Sequence, residues 1–233
     1  MHAPTPQVIP PDMLLLAYRS GIFPMADSRD DPEIFWVEPR MRAILPLNGM
    51  QVSRSLAKTI RTDRFRVTCN LAFADVVDAC AAPRRDHPES WISERIAASY
   101  RQLHAAGHAH SIECWDGDSL VGGLYGVGFD RVFCGESMFS HASNASKVAL
   151  AWLVALLNRA GAELLDCQFI TSHLASLGAV EIPQAEYLKL LGSATGGTAK
   201  ADLPSAYSSL LSESATGSSS SGKLIAQSFT QTS

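Results

Sequence analysis

The sequence predicts an α+β protein whose mostly antiparallel sheet is flanked by helices. Three runs of strand-like residues follow one another between 109 and 137, joined by the turns DGD and GFD. Such closely spaced strands are typical of an antiparallel meander. Helical and strand patterns then alternate over 143–191, so helices are expected to pack on the same sheet. The chain of 233 residues is long enough for a core without disulfide support.

Helical patterns dominate the part of the chain before this meander. The run PPDMLLLAYRSGIFP indicates a short helix that ends at Gly21, and proline, aspartate and arginine over 24–42 indicate irregular structure. Ser53 is placed to cap a helix over RSLAKTIR, as Asn70 is for the run LAFADVVDAC and Ser93 for the helix after it. No strand is assigned before the meander.

After the meander of AHSIECW, SLVGGLYGVG and RVFCGES, the period of the pattern changes. A long helix is expected over 143–160, followed by the strand ELLDCQF, the helix SHLASLG, the strand AVEIP and the helix QAEYLKLL. The apolar run in the long helix, VALAWLVALL, is about half the length that a membrane span needs. A buried helix and no membrane partner are therefore predicted.

The cysteines and the N-terminus indicate a cytoplasmic protein. The five cysteines are odd in number and scattered, with no C-x-x-C motif, which argues against a disulfide framework or a zinc site and for a reducing compartment. The N-terminal run lacks the basic region of a signal peptide. His104 and His108 have i, i+4 spacing, but Gly107 breaks the helix between them, so no metal site is expected.

The chain is predicted to divide into three segments. Residues 1–68 are expected to form a small N-terminal domain and residues 69–191 a larger one, and the third begins where the composition changes at Gly192. Residues 192–233 contain twelve Ser, five Thr and five Gly among forty-two, with only four charges. Such a composition buries too little apolar surface to offset chain entropy, so a disordered tail is predicted there.

Positive charge is concentrated in one stretch of a chain whose net charge is -4. Seven basic side chains stand there against Asp63 alone, an excess of six: Arg40, Arg42, Arg54, Lys58, Arg61, Arg64 and Arg66. Arg54, Lys58 and Arg61 fall at i, i+4 and i+7 of the predicted helix and so share a face. The stretch indicates either a solvated face or a surface that binds a polyanion.

The segment RVFCGESMFSHASNASKVAL, residues 131–150, suggests two enzyme classes and fits neither well. A hydrolase nucleophile elbow needs G-x-S-x-G, but Phe139 stands where the second glycine belongs, so Ser137 is not expected to be a nucleophile. An acyl-CoA-dependent transferase would bind its pyrophosphate on a glycine-rich turn before the long helix. The turn here, SHASNAS, holds no glycine.

The strand ELLDCQF carries the most informative polar pair. Asp166 and Gln168 lie two residues apart, so their side chains point to the same face of an otherwise apolar strand. A carboxylate and an amide in such a place are costly unless they are hydrogen-bonded or used. Spacing alone leaves a structural and a functional role equally open.

Taken together, the segments GHAHSIE, FCGESMFS with NASK, LLDCQF and HLASLGAVEIP resemble the bacterial leucyl/phenylalanyl-tRNA–protein transferases. The resemblance runs in order from about residue 11 to 191. It implies a small N-terminal domain and an acetyltransferase-like (GNAT-like) domain without a coenzyme A site. The implied reaction moves leucine or phenylalanine from its tRNA to a protein whose N-terminus is lysine or arginine, which marks that protein for degradation.

The resemblance also implies site residues. Asp166 would be a base or an orienting group for the attacking amine, Gln168 would hydrogen-bond the reacting carbonyl or Asp166, and Glu136 would hold the donor's α-ammonium. Further residues are implied to contact the donor's adenosine, ester or side chain: Tyr18, Met25, Trp91, Tyr100, Leu124, Met138 and Leu153. Met25 departs from the family, which often has an aromatic residue after GIFP to stack on the terminal adenine.

Because the aminoacyl ester is already activated, no cofactor and no metal are expected. The expected partners are leucyl- or phenylalanyl-tRNA, contacted through Arg54, Lys58 and Arg61, and acceptor proteins; a monomer is expected. Two other functions stay open: an acyl-CoA-dependent N-acyltransferase and a non-catalytic RNA-binding module.

Overall fold

The computed structural model describes residues 8–83 and 90–230. The helices are α1 (Pro11–Arg19), α2 (Arg54–Arg61), α3 (Phe73–Ala81), α4 (Glu94–Ala105), α5 (Ala145–Ala160), α6 (Ser172–Ala175), α7 (Gln184–Ala194), α8 (Leu203–Thr216) and α9 (Ser221–Ser228). The strands are β1 (Phe23–Met25), β2 (Phe35–Val37), β3 (Met41–Ile44), β4 (Arg66–Cys69), β5 (Ala109–Asp116), β6 (Ser119–Phe129), β7 (Val132–Ser140), β8 (Leu164–Gln168) and β9 (Val180–Pro183).

Seven of these strands form one sheet in the order β4-β5-β6-β7-β8-β3-β9. All its pairs are antiparallel except β7 with β8, which are parallel because α5 crosses between them. The predicted meander is β5-β6-β7 at the centre of the sheet. The predicted mostly antiparallel α+β class is therefore confirmed.

Helices cover both faces of the sheet and bury two hydrophobic clusters. On one face α5 supplies most of a cluster that also includes Leu56 and Ile60 of α2. On the other face α1, α3, α4 and α7 pack around Tyr18, Tyr100 and Tyr187. A helix that is apolar on nearly every side is stable only when other elements surround it. Helix α5 is buried along almost its whole length, because it lies between the sheet and the C-terminal helices.

The N-terminal part of the chain supplies strands that the sequence did not predict. β1 and β2 form a small hairpin that, apart from Phe23, lies within 24–42, the stretch expected to be irregular. β3 and β4 join the seven-stranded sheet. Ser53 and Ser93 cap α2 and α4 as predicted, whereas Asn70 is not the cap of α3, because its amide instead contacts His110 and the backbone of Ser111.

The prediction of a disordered C-terminal tail is wrong. Residues 203–216 and 221–228 form α8 and α9. Leu203, Ala206, Leu210 and Ile225 are buried in the same cluster as α5, so these few apolar residues are concentrated where the segment meets the core. Tyr207 adds a hydrogen bond to the carbonyl of Val67 at 2.9 Å.

Deletion of residues 192–233 should therefore lower the thermal unfolding midpoint by several degrees. Each buried aliphatic side chain contributes about 1.5–3 kcal/mol, and a loss of about 1 kcal/mol lowers the midpoint of a domain of this size by about 2–4 °C. Calorimetry of the truncated and full chains measures the difference. An unchanged midpoint would show that α8 and α9 contribute no net stability.

Candidate active site

The candidate site lies where the parallel strands separate. β7 pairs with β8 only over Val132–Cys134 and Leu164–Asp166. Beyond that point β7 continues to Ser140, while β8 ends at Gln168. A cavity of about 560 Å³ opens beside this gap and is lined by residues of both strands. A cavity of this volume is within the usual range for a small-molecule site.

The inner lining of this cavity is apolar. Leu124, Met138 and Leu153, which were predicted from the resemblance to line a side-chain pocket, all face it. Leu150 of α5 and Leu165 of β8 complete that lining. The structure thus brings the three predicted pocket residues together, and the space between them suits an aliphatic or aromatic side chain.

Glu136 lies at the edge of the cavity in contact with two buried tyrosines. Tyr18 and Tyr100 lie 2.7 and 2.8 Å from its two carboxyl oxygens, and the two phenol oxygens are 2.5 Å apart. These three hydrogen bonds need three protons, and the two phenols supply only two. A protonated Glu136 supplies the third, so the closed arrangement favours the neutral carboxyl group.

Burial also favours the neutral form and raises the pKa of Glu136 from 4.5 to about 7. The hydroxyl groups of Tyr18 and Tyr100 oppose this shift, and so does the Gln168 amide, which lies near the carboxyl group but forms no hydrogen bond of normal geometry with it. The folded protein therefore holds this proton more tightly than the unfolded chain. The stability that Glu136 contributes is fully present below pH 4.5 and is lost as the pH rises through about 7.

Asp166 is held in a buried ion pair with Arg42. Arg42 donates through Nε and Nη2 to the two carboxylate oxygens at 2.9 and 2.5 Å, and the two side chains are 1% and 0% exposed. Tyr187 donates to Asp166 at 3.0 Å, and the backbone amide of Gln168 donates at 2.8 Å. Four donors therefore use the carboxylate, which leaves it poorly placed to accept a proton from an incoming amine.

Arg42 is fixed on every side. Its guanidinium lies over the rings of Phe23 and Tyr187, 4.7 and 4.4 Å from their centroids, and donates to the carbonyl of Gly21. Burial lowers the pKa of Arg42, but the hydrogen bonds and charge of Asp166 more than offset this and raise it above its ordinary value. Arg42 thus belongs to the interior and not to the basic surface in which the sequence placed it.

Buried polar atoms without partners are concentrated around the cavity. Among the described residues, five buried side-chain polar atoms have no hydrogen-bond partner, and three of them are Tyr125 Oη, Gln168 Nε2 and His173 Nε2. Tyr125 and His173 line the cavity, and the side chain of Gln168 lies close to its lining residue Glu136. Such groups are rare in folded proteins, so their clustering makes this cavity a candidate ligand-binding site.

The backbone of Gln168 carries strain at the same place. Its φ is 63°, in the left-handed region that residues with a Cβ avoid. The side chain is 5% exposed. A strained, buried residue with an unused donor at a strand end is a feature of binding sites.

The remaining predicted residues fall into two places. Met25 and Trp91 are half-buried beside the cluster that contains Tyr18 and Tyr100, and the Trp91 carbonyl accepts from the Ala26 amide at 3.3 Å. The predicted tRNA-contacting side chains are exposed on α2, on the other side of the sheet: Arg54, Lys58 and Arg61. In the part of the chain that the structure describes, none of the three forms an ion pair.

Sequence reasoning missed Arg42, Tyr187, Tyr125 and His173. An arginine inside the short apolar run MRAIL was the available signal for Arg42. The others carry no local signal, because apolar runs commonly include a tyrosine and only the three-dimensional cavity shows the unused donors. No helix among the described residues is long and apolar enough to cross a membrane.

An α+β protein with an apolar cavity, a neutral carboxyl group and unused amide and hydroxyl donors is suited to bind an acyl group and its carbonyl. Comparison with known proteins gives the family. The model of the leucyl/phenylalanyl-tRNA protein transferase family matches residues 44–192, and that of its N-terminal domain matches residues 8–40. The chain belongs to this family, so the predicted aminoacyltransferase function is confirmed.

Individual relatives carry the same name. The leucyl/phenylalanyl-tRNA–protein transferase of Novosphingobium aromaticivorans is 60% identical over 98% of this chain and 98% of its own. Those of Rhizorhabdus wittichii and Zymomonas mobilis are 59% and 60% identical over 82% and 80% of this chain, and over 77% and 70% of their own.

Proposed function

We propose that this protein transfers leucine or phenylalanine from aminoacyl-tRNA to the α-amine of proteins that begin with lysine or arginine, which marks them for degradation. The observation that carries the site assignment is the apolar cavity with Glu136 and three unpartnered buried polar atoms around it. The cavity holds the donor's side chain, and its polar edge meets the ester. The family match supports the reaction class.

The donor is oriented by two groups at the separating strands. The α-ammonium of the aminoacyl ester approaches Glu136 and favours the carboxylate form, with Tyr18 and Tyr100 donating to it. The free Gln168 amide donates to the ester carbonyl, on which negative charge develops as the neutral amine attacks. The ester C–O bond then breaks, and the terminal ribose hydroxyl of the tRNA leaves with the proton that the amine gives up. Met25 and Trp91, in the same cluster, cover the terminal adenosine.

Asp166 acts by position and not as a base. Its four donors hold the end of β8, so Gln168 keeps its unusual backbone conformation. The reaction needs no base from the protein, because about a tenth to a fifth of an α-amine with pKa near 7.7–8.0 is already neutral at pH 7. Positioning can contribute on the order of 7–11 kcal/mol, far more than the roughly 1 kcal/mol needed for deprotonation.

We further propose that the catalytic part of the chain is GNAT-like. The central sheet, with one parallel pair that separates beside a cavity, supports the GNAT-like relationship. The predicted boundary near residue 68 stays a prediction, while the family models meet between residues 40 and 44. Five free thiols and the bacterial relatives support a cytoplasmic protein, and we propose that it acts as a monomer without a cofactor or metal.

One assay tests the proposal against its two alternatives. The purified protein is incubated with a peptide that begins with arginine and with leucyl-tRNA, phenylalanyl-tRNA or acetyl-CoA. Mass spectrometry should show one added leucine or phenylalanine, and none on a matched peptide that begins with glutamate. Acetylation would instead favour the acyl-CoA enzyme, and tRNA binding without any product would favour the RNA-binding module.

Binding of the donor should depend on pH through Glu136. Below about pH 7 the carboxyl group is protonated, so binding of the α-ammonium must release that proton. The affinity for phenylalanyl-tRNA should therefore rise by up to about tenfold per pH unit from pH 5.5 toward 7. Filter binding measures it, and neither uncharged tRNA nor the Glu136→Gln variant should show this rise. An equal pH dependence in that variant would exclude Glu136 as the partner of the ammonium.

The exposed face of α2 should contact tRNA phosphates. Replacing Arg54, Lys58 and Arg61 together by alanine removes three exposed cations, so tRNA binding should weaken. The binding constant is plotted as its logarithm against the logarithm of the salt concentration. The magnitude of that slope should fall by about 0.9 for each phosphate that the variant no longer neutralises. Binding titrations from 50 to 200 mM salt measure the slope. A slope equal to that of the wild type would remove this face from the interface.

A further inference from the structure

The C-terminal helix α9 lies directly on the basic helix α2. Ile225 of α9 is buried in the same cluster as Leu56 and Ile60 of α2. A Cβ on Gly222 would lie 2.1 Å from the carbonyl oxygen of Ile60. Only glycine permits this approach, so the contact is a built feature of the fold.

The same contact uses the carboxylate of Asp63. The amide of Gly222 donates to Asp63 Oδ1 at 2.8 Å. Asp63 is the only acid between Arg40 and Arg66. The N-terminal end of α9 carries the positive end of the helix dipole, which offsets the negative charge of this side chain.

Lys223 adds a further positive charge at this place. It follows Gly222 directly and is exposed, so it stands beside the C-terminal end of α2, where Arg61 lies. In the part of the chain that the structure describes, Lys223 takes part in no ion pair. Residues after 192 lie outside both family models, so the addition is not part of the matched family module.

We propose that α9 completes the RNA-binding surface of this protein. It offsets the charge of Asp63, the one acid in the basic stretch, and adds Lys223 as a contact to a phosphate of the RNA backbone. The inference rests on the proposed binding of aminoacyl-tRNA through α2 and adds a second element to that surface. Because only phosphates are contacted, the added affinity does not depend on RNA sequence.

The first test compares Lys223→Ala with Lys189→Ala. Both remove one exposed lysine, but Lys189 lies on α7, on the opposite face of the sheet. The salt slope of phenylalanyl-tRNA binding should fall by about 0.9 for Lys223→Ala and stay unchanged for Lys189→Ala. Equal slopes in the two variants would overturn the role of Lys223.

The second test asks whether α9 offsets the charge of Asp63. Asp63→Asn keeps an acceptor for the Gly222 amide and removes the charge, so it should raise tRNA affinity less than twofold in the wild type. In a Gly222→Ala background, where α9 cannot dock, the same change should raise affinity several-fold. Gly192→Ala is the matched control, since a Cβ there meets no atom within 4 Å. Equal effects in all backgrounds would overturn the proposed neutralisation.

Failure of this inference differs from failure of the proposed function. If the wild type transfers leucine from tRNA to the peptide, yet Lys223→Ala and Gly222→Ala bind tRNA as it does, only the role of α9 is lost. If the wild type neither binds tRNA nor makes product, the proposed function itself falls. Trypsin cleavage after Lys223, faster in Gly222→Ala than in Gly192→Ala, reports the undocking directly.

Discussion

Replacing Arg42 by methionine should lower the free energy of unfolding by about 3–5 kcal/mol and abolish transfer. The change leaves the Asp166 carboxylate at 0% exposure without its charged partner. Methionine is of similar length and can lie between Phe23 and Tyr187, so the effect is electrostatic and not that of a cavity. Urea unfolding followed by circular dichroism measures it.

Two controls separate the buried pair from an ordinary one. Arg64→Met breaks the exposed pair with Asp116, whose side chains are 52% and 46% exposed, and should cost under about 1 kcal/mol. The double variant Arg42→Met/Asp166→Leu removes both buried charges and should recover most of the stability but not the activity. A cost of less than about 1 kcal/mol for Arg42→Met would show that water reaches Asp166.

The same pair explains why the site was only partly predictable. The apolar strand around Asp166 and Gln168 indicated that these polar groups must be bonded or used. The partner of Asp166 lies 124 residues away in the chain, inside a stretch that on charge alone indicates a basic surface. Local patterns show that a buried carboxylate needs a cation, but only the pairing of β3 with β8 shows which one.

The sheet and the C-terminal segment were also predictable only where a local pattern decides the structure. The meander and α5 were predicted because alternating or continuous apolar runs decide them locally. The short strand β4 and the hairpin of β1 with β2 have too few residues for a pattern. Disorder was predicted for the C-terminal segment from its composition alone. The spacing of its apolar residues Leu203, Ala206 and Leu210 instead indicates a helix.

The variant Asp166→Asn is not a clean test of the site, because Asp166 forms a buried ion pair with Arg42. Because Asp166 is a predicted site residue and asparagine is nearly isosteric with aspartate, this variant would be expected to fold normally and lose activity. An asparagine cannot balance the buried charge of Arg42, however, so the variant should be destabilised, and its loss of activity would not separate a chemical from a structural role.

Gln168→Met avoids that difficulty and should reduce the rate constant of transfer by about 10²–10³-fold. The Gln168 amide has no hydrogen-bond partner among the described residues, so its removal breaks no hydrogen bond and the unfolding midpoint should not fall. Because the amide acts on charge that develops during attack, kcat should fall while the affinity for aminoacyl-tRNA stays nearly constant. Single-turnover transfer with saturating enzyme measures this directly.

Tyr125→Phe is the matched control for that experiment. It also removes one unpartnered buried donor beside the same cavity and likewise leaves no partner behind. If Gln168 donates to the ester carbonyl, Tyr125→Phe should keep the single-turnover rate within a few-fold of the wild type. Full activity in Gln168→Met together with a large loss in Tyr125→Phe would transfer the role to the tyrosine hydroxyl. Activity in both variants would show that the carbonyl is stabilised by neither, and that positioning of the amine by the separating strands carries the reaction.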